Sequence, residues 1–138
     1  MTKRGARTQP CDRAQARTRL DNAQKSLEVA ELAAVEQDIP ASRSVAAALA
    51  VLSGIASSDA ACCAALGRRP RGDDHRDAAA LLRQIEPNGE RAAKALLELI
   101  DLKDTAQYGL IPITRRQLTT TLRRAKTLLE FAGEIVRA

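Results

Sequence analysis

The chain has 138 residues, a formal net charge of +5, and 45% hydrophobic residues that include just one tyrosine and one phenylalanine. That is one domain's worth of sequence, long enough to bury a core without metal or disulfide staples, and its reliance on alanine and leucine argues against a sheet rich in aromatic and β-branched side chains. The positive balance suits RNA, DNA or an acidic partner, while the near absence of aromatic rings leaves little surface on which bases could stack.

Residues 1–10 read as a basic, flexible tail, and residues 11–138 as a single helical-bundle domain. "MTKRGARTQP" has no apolar run after its charges, which predicts no signal peptide. From Asp12 to about Gln37, Leu20, Ala23, Leu27, Ala30 and Ala34 fall three and four apart and predict a long first helix. "DIP" ends it, and a second helix opens at Ala41 or Ser42, with Val45, Leu49, Leu52, Ala56, Cys63 and Leu66 on its inner stripe and Gly67 as C-cap. The weakly charged stretch from Val45 to Ser58 is too short to span a bilayer.

Asp73 is placed to cap a third helix that turns Leu82 and Ile85 inward until "EPNG" stops it. A fourth runs from about Glu90 to Ala106 with Ala93, Leu96, Leu97 and Ile100 inside. After "YGLIPI", Thr114 and Gln117 form a capping box for a last helix whose stripe is Leu118, Leu122, Ala125, Leu129, Ala132 and Val136. No strand pattern competes. The expected fold is all-α, an up-and-down bundle of four to five helices. Cys11, Cys62 and Cys63 make a poor disulfide framework and have no zinc spacing, so reduced thiols in a soluble, cytoplasmic protein are expected.

Three places could carry chemistry. Asp59 is the only charged residue between Ser44 and Gly67 and falls on the inner stripe, so it needs a cation, several donors or a proton. It is either half of a structural salt bridge or an acid in a cleft of the bundle. "GRRPRGDDHRD", Gly67 to Asp77, holds the only histidine, His75, among Arg69, Arg71 and Arg76. An imidazole there can act as a general base beside guanidiniums that hold a phosphate, or can simply open a helix after a solvated loop. In "LKDTAQYG", Lys103 and Gln107 share a helix face beside Tyr108, which either fills the core or donates to a phosphate with Lys103. Arg115, Arg116, Arg123 and Arg124 form a solvated helix face or a phosphate-tracking stripe. No cofactor or metal motif is present.

The order of these motifs, an "LGRRP" loop, a basic-acidic stretch and a "YG" turn before the final helix, resembles the HEPN (higher eukaryote and prokaryote nucleotide-binding) superfamily of helical bundles from about residue 40 onward. The resemblance implies a homodimer in a toxin–antitoxin or phage-defence system, often beside a nucleotidyltransferase-type partner. It also implies an RNA ligand and, in active members, metal-independent ribonuclease activity. The active members pair an arginine with a histidine a few positions on; Arg69 and His75 match that spacing, as phosphate stabiliser and general base, whereas the late helix has Lys103 and Tyr108 but no histidine. The implied reading is an interaction module in which Asp59, Arg71, Arg76, Lys103 and Tyr108 bind a nucleotide or RNA phosphate, with ribonuclease activity as the alternative. A DNA-binding protein using the N-terminal arginines is a third reading, without a recognition helix to support it.

Overall fold

The protein, seen in a computed structural model, is described over residues 7–72, 75–108 and 110–138, with the side chains of residues 104–108 left out. The described elements are β1 (Thr8–Pro10), α1 (Arg13–Ala34), α2 (Pro40–Leu66), β2 (Arg68–Pro70), α3 (His75–Leu82), α4 (Gly89–Tyr108) and α5 (Arg115–Arg137). The architecture is the expected up-and-down bundle of five helices.

Local signals set the helix ends. Asp12 accepts from the Gln15 amide while the Gln15 side chain accepts from the Asp12 amide, and Thr114 and Gln117 repeat the arrangement at α5. Each box satisfies two amides that a helix start leaves without partners. Gly67 closes α2 at φ 70°, where a side chain would be strained, and its amide donates to the Cys63 carbonyl. The expected cap at Asp73 lies outside the described residues.

The core is built from small side chains around α2, which packs against α1, α5, α4 and α3. Alanines at positions 16, 23, 30, 46, 47, 50, 60 and 61 are fully buried, so backbones approach closely. Gly54 marks the tightest point: a Cβ there would sit 2.2 Å from a methyl of Leu99, itself buried. Ser53 spans the α1–α2 contact by donating to the Ala23 carbonyl at 2.7 Å.

The inner face of α2 differs from the expected stripe. Val45 and Leu52 are more than half exposed, whereas Ala46, Ala50, Ser53, Gly54 and Ser57 are buried. A helix enclosed on several sides buries a wide arc, and its small residues mark the close contacts better than its large ones do. By length and composition α2 is also long and apolar enough to cross a membrane, unlike the shorter stretch read from sequence, and 61% of its most apolar window is buried inside the bundle.

Two features depart from the sequence expectation. Thr8–Pro10 pairs antiparallel with Arg68–Pro70, with Gln9 opposite Arg69, so the last residues of the expected tail form a ribbon; residues 1–6 lie outside the described residues. The ribbon brings Cys11 to Cys63, with Cα atoms 5.2 Å apart, and the two are joined by a disulfide. The expectation of three reduced cysteines is therefore corrected: only Cys62 is a free thiol. Strand pairing between segments far apart in sequence supplied a proximity that cysteine spacing could not reveal.

Candidate functional site

The C-terminal end of α2, the ribbon and the start of α3 surround a hollow of about 190 Å³ lined by Arg19, Ser58, Asp59, Arg69, Arg71 and His75. Four neighbouring segments deliver these residues. Asp59 stands two turns before the end of α2. Arg69 and Arg71 follow the Gly67 turn on and just beyond β2, where the Arg71 amide donates to the Arg7 carbonyl at 2.9 Å. His75 is the first residue of α3. Ile55, Ala78 and Leu96 supply the apolar part of the wall, which strengthens any polar contact made inside.

Arg19 on α1 resolves the isolated charge. Its Nη2 donates to Asp59 Oδ2 at 2.9 Å, with the arginine side chain 37% and the aspartate side chain 13% exposed. This is the structural salt bridge anticipated for Asp59, and it also stands in the wall of a cleft, so both readings of that residue meet at one place. Arg19 is the lining residue that sequence reasoning missed. The need of Asp59 for a cation was legible, but α1 carries several arginines and nothing in their spacing singles this one out.

Because Arg19 can swing into water once Asp59 is gone, the pair should cost less to break than a sealed ion pair would. Asp59→Ala is expected to destabilise by about 1–2 kcal/mol, between the values for surface and buried pairs. Chemical denaturation, in a double-mutant cycle with Arg19→Ala, measures it.

Beyond the pair, the guanidinium of Arg69 is held from across the ribbon. With its amide turned to face the arginine, the Gln9 side-chain oxygen accepts from Arg69 Nε at 3.2 Å and also from Nη2. Arg68 turns away to donate to Gln84 at 3.1 Å. Ser58 is buried; its hydroxyl makes no geometrically sound hydrogen bond among the described residues and lies near the Cys62 thiol. The hollow adjoins a wider cavity of about 630 Å³ that shares Arg19, Asp59 and Arg69 and is lined also by Gln15, Cys11 and Cys63.

The other expected site residues fall elsewhere. Arg76 points to Asp101 at 3.8 Å in an exposed pair and is not part of the wall. Lys103, half-buried near the end of α4, does not line the hollow either. The side chain of Tyr108 lies outside those described. Thus the acid and the imidazole share one hollow, as expected, while its cations come from α1 and the ribbon instead of the fourth helix. Among the described residues no group of three or more histidines, cysteines and acids is placed to hold a metal ion.

Among the described residues, three arginines and one aspartate line the hollow, so that part of the lining is cationic before His75 is counted. Such a site attracts an anion with several acceptor oxygens, which planar guanidiniums bind in bidentate fashion. Compared with known protein families, curated proteins and solved structures, the chain has no match.

Proposed function

We propose that the protein is a HEPN-like interaction module that binds the phosphate of an RNA or nucleotide in the hollow between Arg69, Arg71 and His75. The observation that carries this reading is the excess of cations among the described residues around the hollow, whose one described acid is already paired with Arg19. With that carboxylate occupied, Arg71 and the Arg69 donors that Gln9 does not engage serve the ligand in this reading. The neighbouring cavity gives room for the sugar or base attached to the phosphate.

In this reading the protein acts in the cytoplasm, in a toxin–antitoxin or defence system, as a homodimer and beside a nucleotidyltransferase-type partner. Support for a second copy comes from Val45 and Leu52, exposed two turns apart on one face of α2, together with exposed Leu32 on α1 and Val35 just after it. The surface phosphate contact needs no stacking platform, which suits a chain with one tyrosine and one phenylalanine.

The second reading is metal-independent cleavage of RNA, favoured by the meeting of His75 and Arg69 in one hollow. His75 would take the proton of a 2′-hydroxyl, the resulting oxygen would attack the adjacent phosphorus, and Arg69 would stabilise the added negative charge as the 5′-oxygen leaves with a proton from water. A cyclic 2′,3′-phosphate would remain.

Labelled single-stranded RNA incubated in EDTA separates the two. The module predicts saturable retention without cleavage, weakened at least about tenfold by Arg69→Gln with Arg71→Gln, since each charge-assisted contact is worth about 1.5–3 kcal/mol. Cleavage lost in His75→Ala would establish the enzyme. Retention unaffected by the arginine changes would remove the hollow as the binding site.

A further inference from the structure

We propose that the Cys11–Cys63 bond is a redox latch on this hollow: closed, it holds the ribbon that presents Arg69, and opened by a dithiol it frees the ribbon and weakens phosphate binding. The inference rests on the reading of the hollow as a phosphate site.

The bond lies where it controls the ribbon most directly. Cys11 immediately follows β1, and Cys63 stands one helical turn before Gly67, from which the chain turns into β2. The disulfide therefore joins the end of one strand to the helix that leads into the other. Little else holds the pair together. Each strand has three residues, and Pro10 and Pro70 lack the amide that a ladder uses. A two-stranded ribbon of that length is marginal on its own in water. Its flanking bonds are Cys11 N–H to Gly67 O at 3.1 Å and Arg71 N–H to Arg7 O at 2.9 Å. Both depend on the register that the disulfide holds.

Arg69 feels the release through Gln9. The two residues sit opposite each other, and the Gln9 oxygen fixes the guanidinium of an arginine that lines both the hollow and the cavity beside it. Once β1 departs, Arg69 regains its rotamer freedom and must be ordered by the ligand itself, at an entropic cost.

A reductant reaches the bond from the Cys11 side, since Cys63 is buried. Cys11 is half-buried, and both cysteines line the wider cavity beside the hollow. Cys62 does not compete for the bond from within, because burial, and then the Asp59 carboxylate, push its thiol up to about 12, leaving it protonated at neutral pH. The electrons must come from an external dithiol. Its thiolate attacks the Cys11 sulfur, forms a mixed disulfide and expels the Cys63 thiolate, which takes a proton. The reductant's second thiol then closes its own ring disulfide and releases Cys11, which is protonated in turn. Two electrons and two protons pass to the protein. In a reducing compartment such a bond is transient and regulatory, which fits the cytoplasmic setting proposed above.

The test compares the full chain, oxidised and in excess dithiothreitol, by calorimetric titration with inorganic phosphate and by hydrogen exchange at the Cys11 and Arg71 amides. Reduction is expected to weaken phosphate binding about tenfold, the loss of roughly one oriented charged contact, and to speed exchange at both amides. Cys11→Ser should show the weakened affinity with or without reductant. Gln9→Ala, which leaves the bond intact, should weaken binding in the oxidised protein. Unchanged exchange at both amides on reduction would overturn the latch, as would full affinity in Cys11→Ser. If the oxidised protein binds no phosphate yet both amides lose protection on reduction, the phosphate reading fails while release of the ribbon stands.

Discussion

Reduction of the Cys11–Cys63 bond is expected to lower the stability of the fold by about 4 kcal/mol, from the chain entropy restored to an unfolded loop closed over a separation of 52 residues. The native state loses little of its core, because the strand that the bond releases, β1, contributes no buried residue. The effect therefore acts chiefly on the unfolded chain. For a domain of this size the midpoint of thermal unfolding should fall by on the order of 10 °C. Scanning calorimetry with and without reductant measures it, and Cys11→Ser should reproduce the reduced midpoint and no longer respond to reductant. A midpoint equal in both conditions would mean that the two cysteines are not joined in solution.

Leu82→Ala should cost about 3 kcal/mol, within the range for emptying a fully buried leucine site. The position matters beyond its volume. Leu82 ends α3, an eight-residue helix too short to persist without tertiary packing, and it is the largest side chain of that helix to be fully buried. Its backbone is packed as tightly as its side chain: a Cβ on Gly89 would lie 2.1 Å from the Leu82 carbonyl oxygen, so the turn that leads to α4 cannot readily slide in to fill the gap. Since α3 begins with His75, loosening its far end should disturb the hollow as well. Denaturant titration gives the stability loss. A change below about 1 kcal/mol would show that α3 is not anchored as described.

How much of this was legible depended on the range of the interaction. Capping is local, so Thr114 with Gln117 and Gly67 after α2 could be read directly, as could the periodicity of α5. Asp59 was legible by contrast, one charge in an alanine-rich run, and its need for a partner followed from desolvation alone. The phase of α2 was not. Its contacts are made by alanine, glycine and serine, whose burial reflects how near the neighbouring backbone comes, whereas Val45 and Leu52 stay exposed. The ribbon was hidden because three-residue strands with terminal prolines carry no alternation to detect. With it were hidden the disulfide and the Gln9–Arg69 contact, both of which exist only once residues about 60 apart in sequence have paired. Of the residues expected at the site, His75, Arg69, Arg71 and Asp59 share the hollow, because the Gly67 turn folds the basic loop back over the end of α2. Arg76 and Lys103 project from other parts of α3 and α4.

The single imidazole of the chain offers the most direct measurement. A nuclear magnetic resonance titration with inorganic phosphate should move the His75 ring-proton signal saturably, and Arg69→Gln should weaken that response about tenfold or more. A signal indifferent to phosphate, or one that answers equally with and without Arg69, would contradict the assignment of the hollow as an anion site.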